Sequence, residues 1–149
     1  MDRRLLITRI QTRWQDFQRA YAGLGKSDMV KPGVVGDWSV KDIIGHVATW
    51  EEESLKWLPV VARGLPTERY GDIHRFNAEQ VAAKRGLSLD EVLRRAEESH
   101  RRLVSYAEGV PEEWFATDTR FRRRLRLDTY GHYVEHTRSI RAWRAERGV

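Results

Sequence analysis

The stretch Asp128-Thr129-Tyr130-Gly131-His132-Tyr133-Val134-Glu135-His136-Thr137-Arg138-Ser139-Ile140-Arg141-Ala142-Trp143 decides how this 149-residue sequence folds. His132, His136, Ile140 and Trp143 recur at spacings of four, four and three, which places them on one face of an α-helix. Val134, Arg138 and Arg141 point elsewhere. A face that runs from two imidazoles into Ile140 and Trp143 is directed into a core. The pattern predicts a helix from about Asp128 to Glu146, closed by Gly148. On it, the Cβ atoms of residues four apart lie about 6 Å from each other, so two imidazoles can share one ion at roughly 2.0–2.1 Å each.

Outward from that stretch, the segment Asp37-Trp38-Ser39-Val40-Lys41-Asp42-Ile43-Ile44-Gly45-His46-Val47-Ala48-Thr49-Trp50 reads as the start of another helix. Ser39 is a natural N-cap, Asp42 stands at the third helical position, and Trp38 precedes the cap as a hydrophobic staple would. Val40, Ile43, Ile44, Val47, Leu55 and Leu58 form its apolar stripe, with Pro59 near its end and Gly64-Leu65-Pro66 as its stop. His46 shares a face with Ile43, Trp50 and Glu53. A third imidazole from a facing helix would complete a facial triad with open positions, the arrangement of catalytic rather than structural metal sites.

Two further long helices follow from the same periodicity. Leu6, Ile10, Trp14, Phe17, Tyr21 and Leu24 predict one from about Arg3 to Leu24. Ser88 caps the other, with Glu91 placed to complete a capping box and Val92, Ala96, Leu103, Val104 and Ala107 on its apolar side. Arg69 to Lys84 suggests a short, partly polar helix, and Pro111 to Phe115 a single helical turn. The run Arg120-Phe121-Arg122-Arg123-Arg124-Leu125-Arg126 reads as a loop or irregular extension. No segment alternates with period two for long enough to argue a sheet. The expected fold is all-α, a four-helix bundle with a short additional helix between the second and third long helices, in one domain over 1–149.

Composition narrows the function. There are no cysteines, which excludes disulfides, thiolate metal sites and a cysteine nucleophile. Forty per cent hydrophobic and 33% charged residues describe a soluble chain, and no stretch reaches the ~20 apolar residues of a membrane span. With no signal-like N-terminus, the expected location is the cytoplasm. The net charge of +5 concentrates in the arginine run, where Arg122, Arg123 and Arg124 are candidate nucleic-acid contacts, although a solvated arginine-rich loop is the plainer reading.

His46, His132 and His136 are the candidate metal ligands, and neutral imidazole suits zinc, nickel or ferrous iron. Glu53 and Tyr133 are candidate catalytic groups, and Trp50, Asn77 and Trp143 candidate substrate contacts. Each has an ordinary alternative: Glu53 as one of three solvated acids, Tyr133 and the tryptophans as core filler, the histidines as hydrogen-bonded core groups. His74 and His100 receive no role.

The pieces Trp38-Ser39-Val40-Lys41-Asp42 through His46, Phe76-Asn77-Ala78, and Tyr130-Gly131-His132-Tyr133-Val134-Glu135-His136 occur in an order and spacing that cover most of the chain from Asp37 onward. In them the sequence resembles the DinB/YfiT-like superfamily of metalloenzymes, and most of all the ClbS/DfsB family of four-helix bundle proteins. The resemblance implies a histidine triad at one end of the bundle, with His46, His132 and His136 at the matching positions. It also implies relatives that are thiol S-transferases or metal-dependent hydrolases. The ClbS branch is associated with self-protection against a DNA-damaging natural product by hydrolysis of a strained cyclopropane, and nothing in this composition points to that substrate. The expected activity is metal-dependent hydrolysis or transfer of an external low-molecular-weight thiol onto a small electrophilic or toxic molecule. The rival is a sequestering protein that holds a toxin without turnover or contacts DNA through its arginines. A homodimer is a further expectation.

Overall fold

The computed structural model describes residues 2–149 and contains four long helices: α1 (Arg3–Tyr21), α3 (Val40–Ala62), α5 (Leu89–Gly109) and α8 (Tyr130–Arg147). Between them lie α2 (Lys26–Met29), α4 (Ile73–Lys84), α6 (Glu113–Ala116) and α7 (Arg120–Asp128). α1 packs on α8 and α5, and α3 packs on α5, α7 and α4, while α3 and α8 touch only briefly. The expected helix between the second and third long ones is α4.

The caps explain where these helices start. Ser39 Oγ accepts from the Asp42 amide at 3.1 Å, and Asp42 accepts from the Ser39 amide at 3.1 Å, so α3 begins with a reciprocal capping box. α5 has only half of the box expected there. Ser88 accepts from the Glu91 amide, but the Glu91 carboxylate turns outward to Arg94 and Arg95. Pro59 sits inside α3 on its exposed side, and the helix continues past it to Ala62.

Three boundaries differ from the sequence expectation. α1 ends at Tyr21, and the turn around Gly23 (φ +81°) leads into α2. The arginine run is a helix: Thr119 caps α7 by accepting from the Arg122 amide at 3.1 Å, and Phe121 and Leu125, four apart, are buried beneath it. Five arginines in that run obscured a stripe of only two apolar residues. α8 starts at Tyr130 because the buried Thr129, at φ −125° and ψ −107°, breaks the path from α7. The two helices pass so closely at this break that a Cβ on Gly131 would lie 2.9 Å from the Arg126 carbonyl oxygen. Gly131 thereby sets the placement of the next residue, His132.

The core is built from the predicted stripes. Leu6, Ile10, Trp14 and Phe17 of α1 share one core with Val40, Ile43, Ile44, Val47 and Leu58 of α3, Leu103 of α5 and Ile140 of α8. Each such side chain contributes about 1.5–3 kcal/mol when fully buried. That interior fixes the azimuth of α3 and α8, and with it the direction of the three histidines.

Candidate metal centre

His46 lies on the second turn of α3, and His132 and His136 on the first two turns of α8. His132 Nε2 stands 3.0 Å from His46 Nε2 and 3.0 Å from His136 Nε2. One ligating nitrogen from each ring lies within 4.8 Å of the other two, and among the described residues this is the group of three donors arranged to hold an ion. His46 and His136 are 5% exposed, and His132 is half-buried. Burial pulls the His46 imidazole down to about 3, helped by His136 and Lys84, and pulls His136 down to about 4. Burial, with both neighbouring rings, holds His132 well below the usual histidine range. All three rings are neutral at pH 7.

Hydrogen bonding alone does not satisfy this cluster. A neutral imidazole has one N–H and one lone pair, so a ring nitrogen donates or accepts but not both. His132 Nε2 faces two other Nε2 atoms, and one nitrogen cannot pair well with both. The Nδ1 atoms of His132 and His136 are buried without a hydrogen-bond partner, so the opposite tautomer gains nothing. A cation removes the conflict by accepting every lone pair. The two separations from His132, 3.0 Å each, fit as well: donors bound at about 2.0–2.1 Å stand about 3 Å apart at a right angle and about 3.4 Å apart in a tetrahedron. The residues therefore suit a divalent ion held on one face.

The triad forms the floor of a cleft of about 520 Å³. Trp38 from the loop before α3, Trp50, Asn77 of α4, and Arg124 and Asp128 of α7 line it. Trp50 Nε1 donates to Asn77 Oδ1 at 2.9 Å, so two of the expected substrate contacts lock together as one wall. The third, Trp143, is buried in the core, 4% exposed, and does not line the cleft. His74, given no role from sequence, stands at the cleft, as does Glu135.

The two expected catalytic groups lie elsewhere. Glu53 Oε2 accepts from Trp57 Nε1 and from the Tyr70 hydroxyl, both at 3.0 Å. Tyr133 is fully buried and donates to Glu51 Oε2 at 2.6 Å. Glu51, not Glu53, is the buried acid of α3, at 0% exposure. Ser99 Oγ donates to its Oε1 at 2.9 Å, and His100 Nδ1 lies 3.1 Å from its Oε2. Trp14 stacks on the His100 ring with centroids 4.2 Å apart. Burial pushes the Glu51 carboxyl up, and His100, Tyr133 and Ser99 oppose that shift. The signal for Glu51 was in the sequence: Ile44, Val47, Glu51, Ser54 and Leu58 follow spacings of three and four. His100 likewise falls between Ala96 and Leu103 on the apolar stripe of α5.

Of the candidate nucleic-acid arginines, Arg122 donates to the Phe115 carbonyl and Arg123 to Asp118. Arg124 is paired with Asp128, and their side chains are 16% and 8% exposed. No helix among the described residues is long and apolar enough to cross a membrane.

Similar proteins carry the same architecture. The colibactin self-resistance protein ClbS, solved in complex with a dsDNA, superposes with a TM-score of 0.78 at 16% identity, covering 93% of each chain. The sibling lethal factor precursor DfsB gives 0.83 at 16% identity over 99% of this chain and 97% of its own. An uncharacterised protein from Escherichia coli UTI89 gives 0.81 at 14% identity over 99% and 95%. Identities this low establish a shared fold. No curated protein matches by sequence. Residues 10–136, from the first core stripe through the last triad histidine, match the family described as the mycothiol maleylpyruvate isomerase N-terminal domain. The chain belongs to that family, within the DinB/YfiT-like superfamily.

Proposed function

We propose that this protein is a metal-dependent enzyme that acts on a small electrophilic molecule, by hydrolysis or by transfer of an external thiol. The observation that carries this reading is the meeting of three neutral imidazole nitrogens on the floor of an aromatic cleft. His46, His132 and His136 would hold the ion, with zinc or nickel best matched to an all-imidazole set. When bound, a divalent ion supplies Lewis acidity to a substrate oxygen, an incoming water or a thiol. The thiol must come from outside, because the chain has no cysteine. That the matched family is named for a mycothiol maleylpyruvate isomerase supports the thiol branch.

The remaining roles belong to the walls. Trp38 and the Trp50–Asn77 pair orient an apolar substrate body and exclude water from one side. Glu135, exposed at the cleft, is the carboxylate free to move a proton, whereas Asp128 is engaged by Arg124 and Ser54.

Zinc and nickel titrations of EDTA-stripped protein, followed by calorimetry, test the reading. One ion per chain is expected for wild type and none for the His132→Ala/His136→Ala double variant. Equal, negligible binding by both proteins would remove the metalloenzyme reading.

The DNA-bound relative favours a second reading, in which α7 contacts phosphates. Arg122, Arg123 and Arg124 make internal bonds, so among the described residues Arg120 and Arg126 are the exposed cations of that helix without one. Affinity for duplex DNA that falls steeply with salt, and falls again in an Arg120→Ala/Arg126→Ala variant, would support it.

A further inference from the structure

The wall of the cleft also carries a group that neither metal binding nor water exclusion uses. Arg124 is held from three sides. Its Nε donates to Asp128 Oδ2 at 2.5 Å, and its Nη2 donates to the Tyr70 hydroxyl at 3.0 Å. The guanidinium carbon lies 5.8 Å from the ring centroids of both Trp50 and Tyr70. Each of these partners is itself fixed. Asp128 accepts from Ser54 Oγ at 2.6 Å, Tyr70 donates to Glu53, and Trp50 is tied to Asn77. The chain thus spends a buried carboxylate, a phenol and an indole on immobilising one cation at a cleft. Nη1 has no hydrogen-bond partner among the described residues, yet it is not among the polar atoms sealed from solvent.

The rim has a second character. Val35, Ile73 and Leu127 are large apolar residues left 39%, 38% and 64% exposed, and all three line this same cleft. They come from three separate segments: the loop before α3, the start of α4, and the end of α7. Exposed apolar groups scattered singly need no explanation, but three brought together at one mouth mark a binding surface.

We infer that the cleft takes an amphipathic monoanion, a carboxylate on an aliphatic or aromatic body, with the carboxylate on Arg124 Nη1 and the body across Val35, Ile73 and Leu127. A guanidinium N–H makes a charge-assisted bond to a carboxylate, stronger than one between neutral groups. One charge matches better than two, because Asp128 and Glu135 share the cleft and would repel a phosphate dianion facing a single arginine. The inference names the substrate class for the site proposed above and rests on that cleft being the binding site, but it does not require the ion.

Calorimetric titration of EDTA-stripped and zinc-loaded protein with octanoate, octanamide, acetate and octyl phosphate tests it. Octanoate should bind at least about tenfold more tightly than neutral octanamide in both forms, and more tightly than acetate or octyl phosphate. Arg124→Gln should abolish the preference over octanamide and leave zinc stoichiometry unchanged. The Arg124→Gln/Asp128→Asn variant removes both members of the buried pair and serves if the single variant does not fold. Leu127→Ser should weaken octanoate and octanamide alike. Equal affinity for the two octyl probes, or no binding of either, overturns the inference. So does a preference that appears only with zinc and survives in the double variant, since the ion would then be holding the carboxylate. Octanoate selectivity without zinc uptake would instead sink the metal reading and leave this one standing.

Discussion

Two of the polar clusters inside this bundle, around Glu51 and around His132, are built on opposite rules. Around Glu51 the donors and acceptors close on themselves: Tyr133, Ser99 and His100 together meet both carboxylate oxygens. Around His132 three Nε2 atoms point at one another and two Nδ1 atoms have no partner. Both clusters draw on α3 and α8, and both sit among apolar side chains. The first is what a core does with polar groups it must keep, because an unpaired buried group costs free energy. The second has no such resolution within the chain, and that points to a ligand. Burial of histidine is therefore a poor guide to function by itself; the balance of donors against acceptors separates His100 from His46.

The largest expected effect is on the closed cluster. His100→Ala leaves Glu51 buried with one hydrogen-bond partner fewer and opens a cavity beside Trp14, so urea denaturation should show a loss of about 3–5 kcal/mol. Zinc stoichiometry of the folded fraction should be unchanged. If stability falls by less than about 1 kcal/mol, the Glu51 cluster does not hold the core together.

At the open cluster the pattern reverses. His46→Gln should lower zinc affinity about 100-fold or more while changing the stability of metal-free protein little, because His132 Nε2 still has His136 as a partner. Zinc should raise the melting temperature of wild type through binding to the folded state alone, and the variant should lose that rise. A variant that keeps its zinc-dependent melting shift would show that the ion binds elsewhere.

Gly131→Ala comes next, since the added methyl must displace the Arg126 carbonyl 2.9 Å away. About 1–3 kcal/mol of destabilisation is expected. The shift also turns His132, so zinc affinity should fall even though no ligand has changed. Unaltered zinc affinity would mean that the α7–α8 junction does not position that histidine.

The most gradual effect, a slope spread over several pH units, distinguishes the clusters by sign. His46 and His136 have folded values of about 3 and about 4 against 6.5 unfolded. The unfolded chain therefore binds more protons in that window. The stability these histidines contribute is present above pH 6.5 and is lost as pH falls toward 4, with a slope of at most about 1.4 kcal/mol per pH unit for each. Glu51, raised from 4.5 by burial, acts in the opposite sense: its contribution is present below pH 4.5 and is lost as pH rises through its folded value. Denaturation of metal-free protein from pH 4 to 8 should show the histidine slope, and His46→Gln should reduce it. A slope identical in that variant would contradict the burial assigned to His46.

Much of this was legible in the residue pattern. Stripes of three-and-four spacing located α1, α3, α5 and α8, and the Ser39 and Ser88 caps marked two starts. The same periodicity put His46, His132 and His136 on inward faces. It would also have marked Glu51 and His100, had chemistry not drawn attention to Glu53. α7 was obscured because arginine contributes nothing to an apolar stripe, and its helix rests on two buried residues and one threonine cap.

The order of apolar and polar residues along the chain determined which segments are helices and which sides they bury, because helix periodicity and capping are local. Where two faces meet is not local. Only the packing of α3 against α7 and α8 could bring His132 Nε2 to 3.0 Å from the Nε2 atoms of both His46 and His136, set Arg124 over Trp50, and gather Val35, Ile73 and Leu127 at one mouth. Such distances depend on helix azimuth and on the break at Thr129, and the whole interior sets both at once.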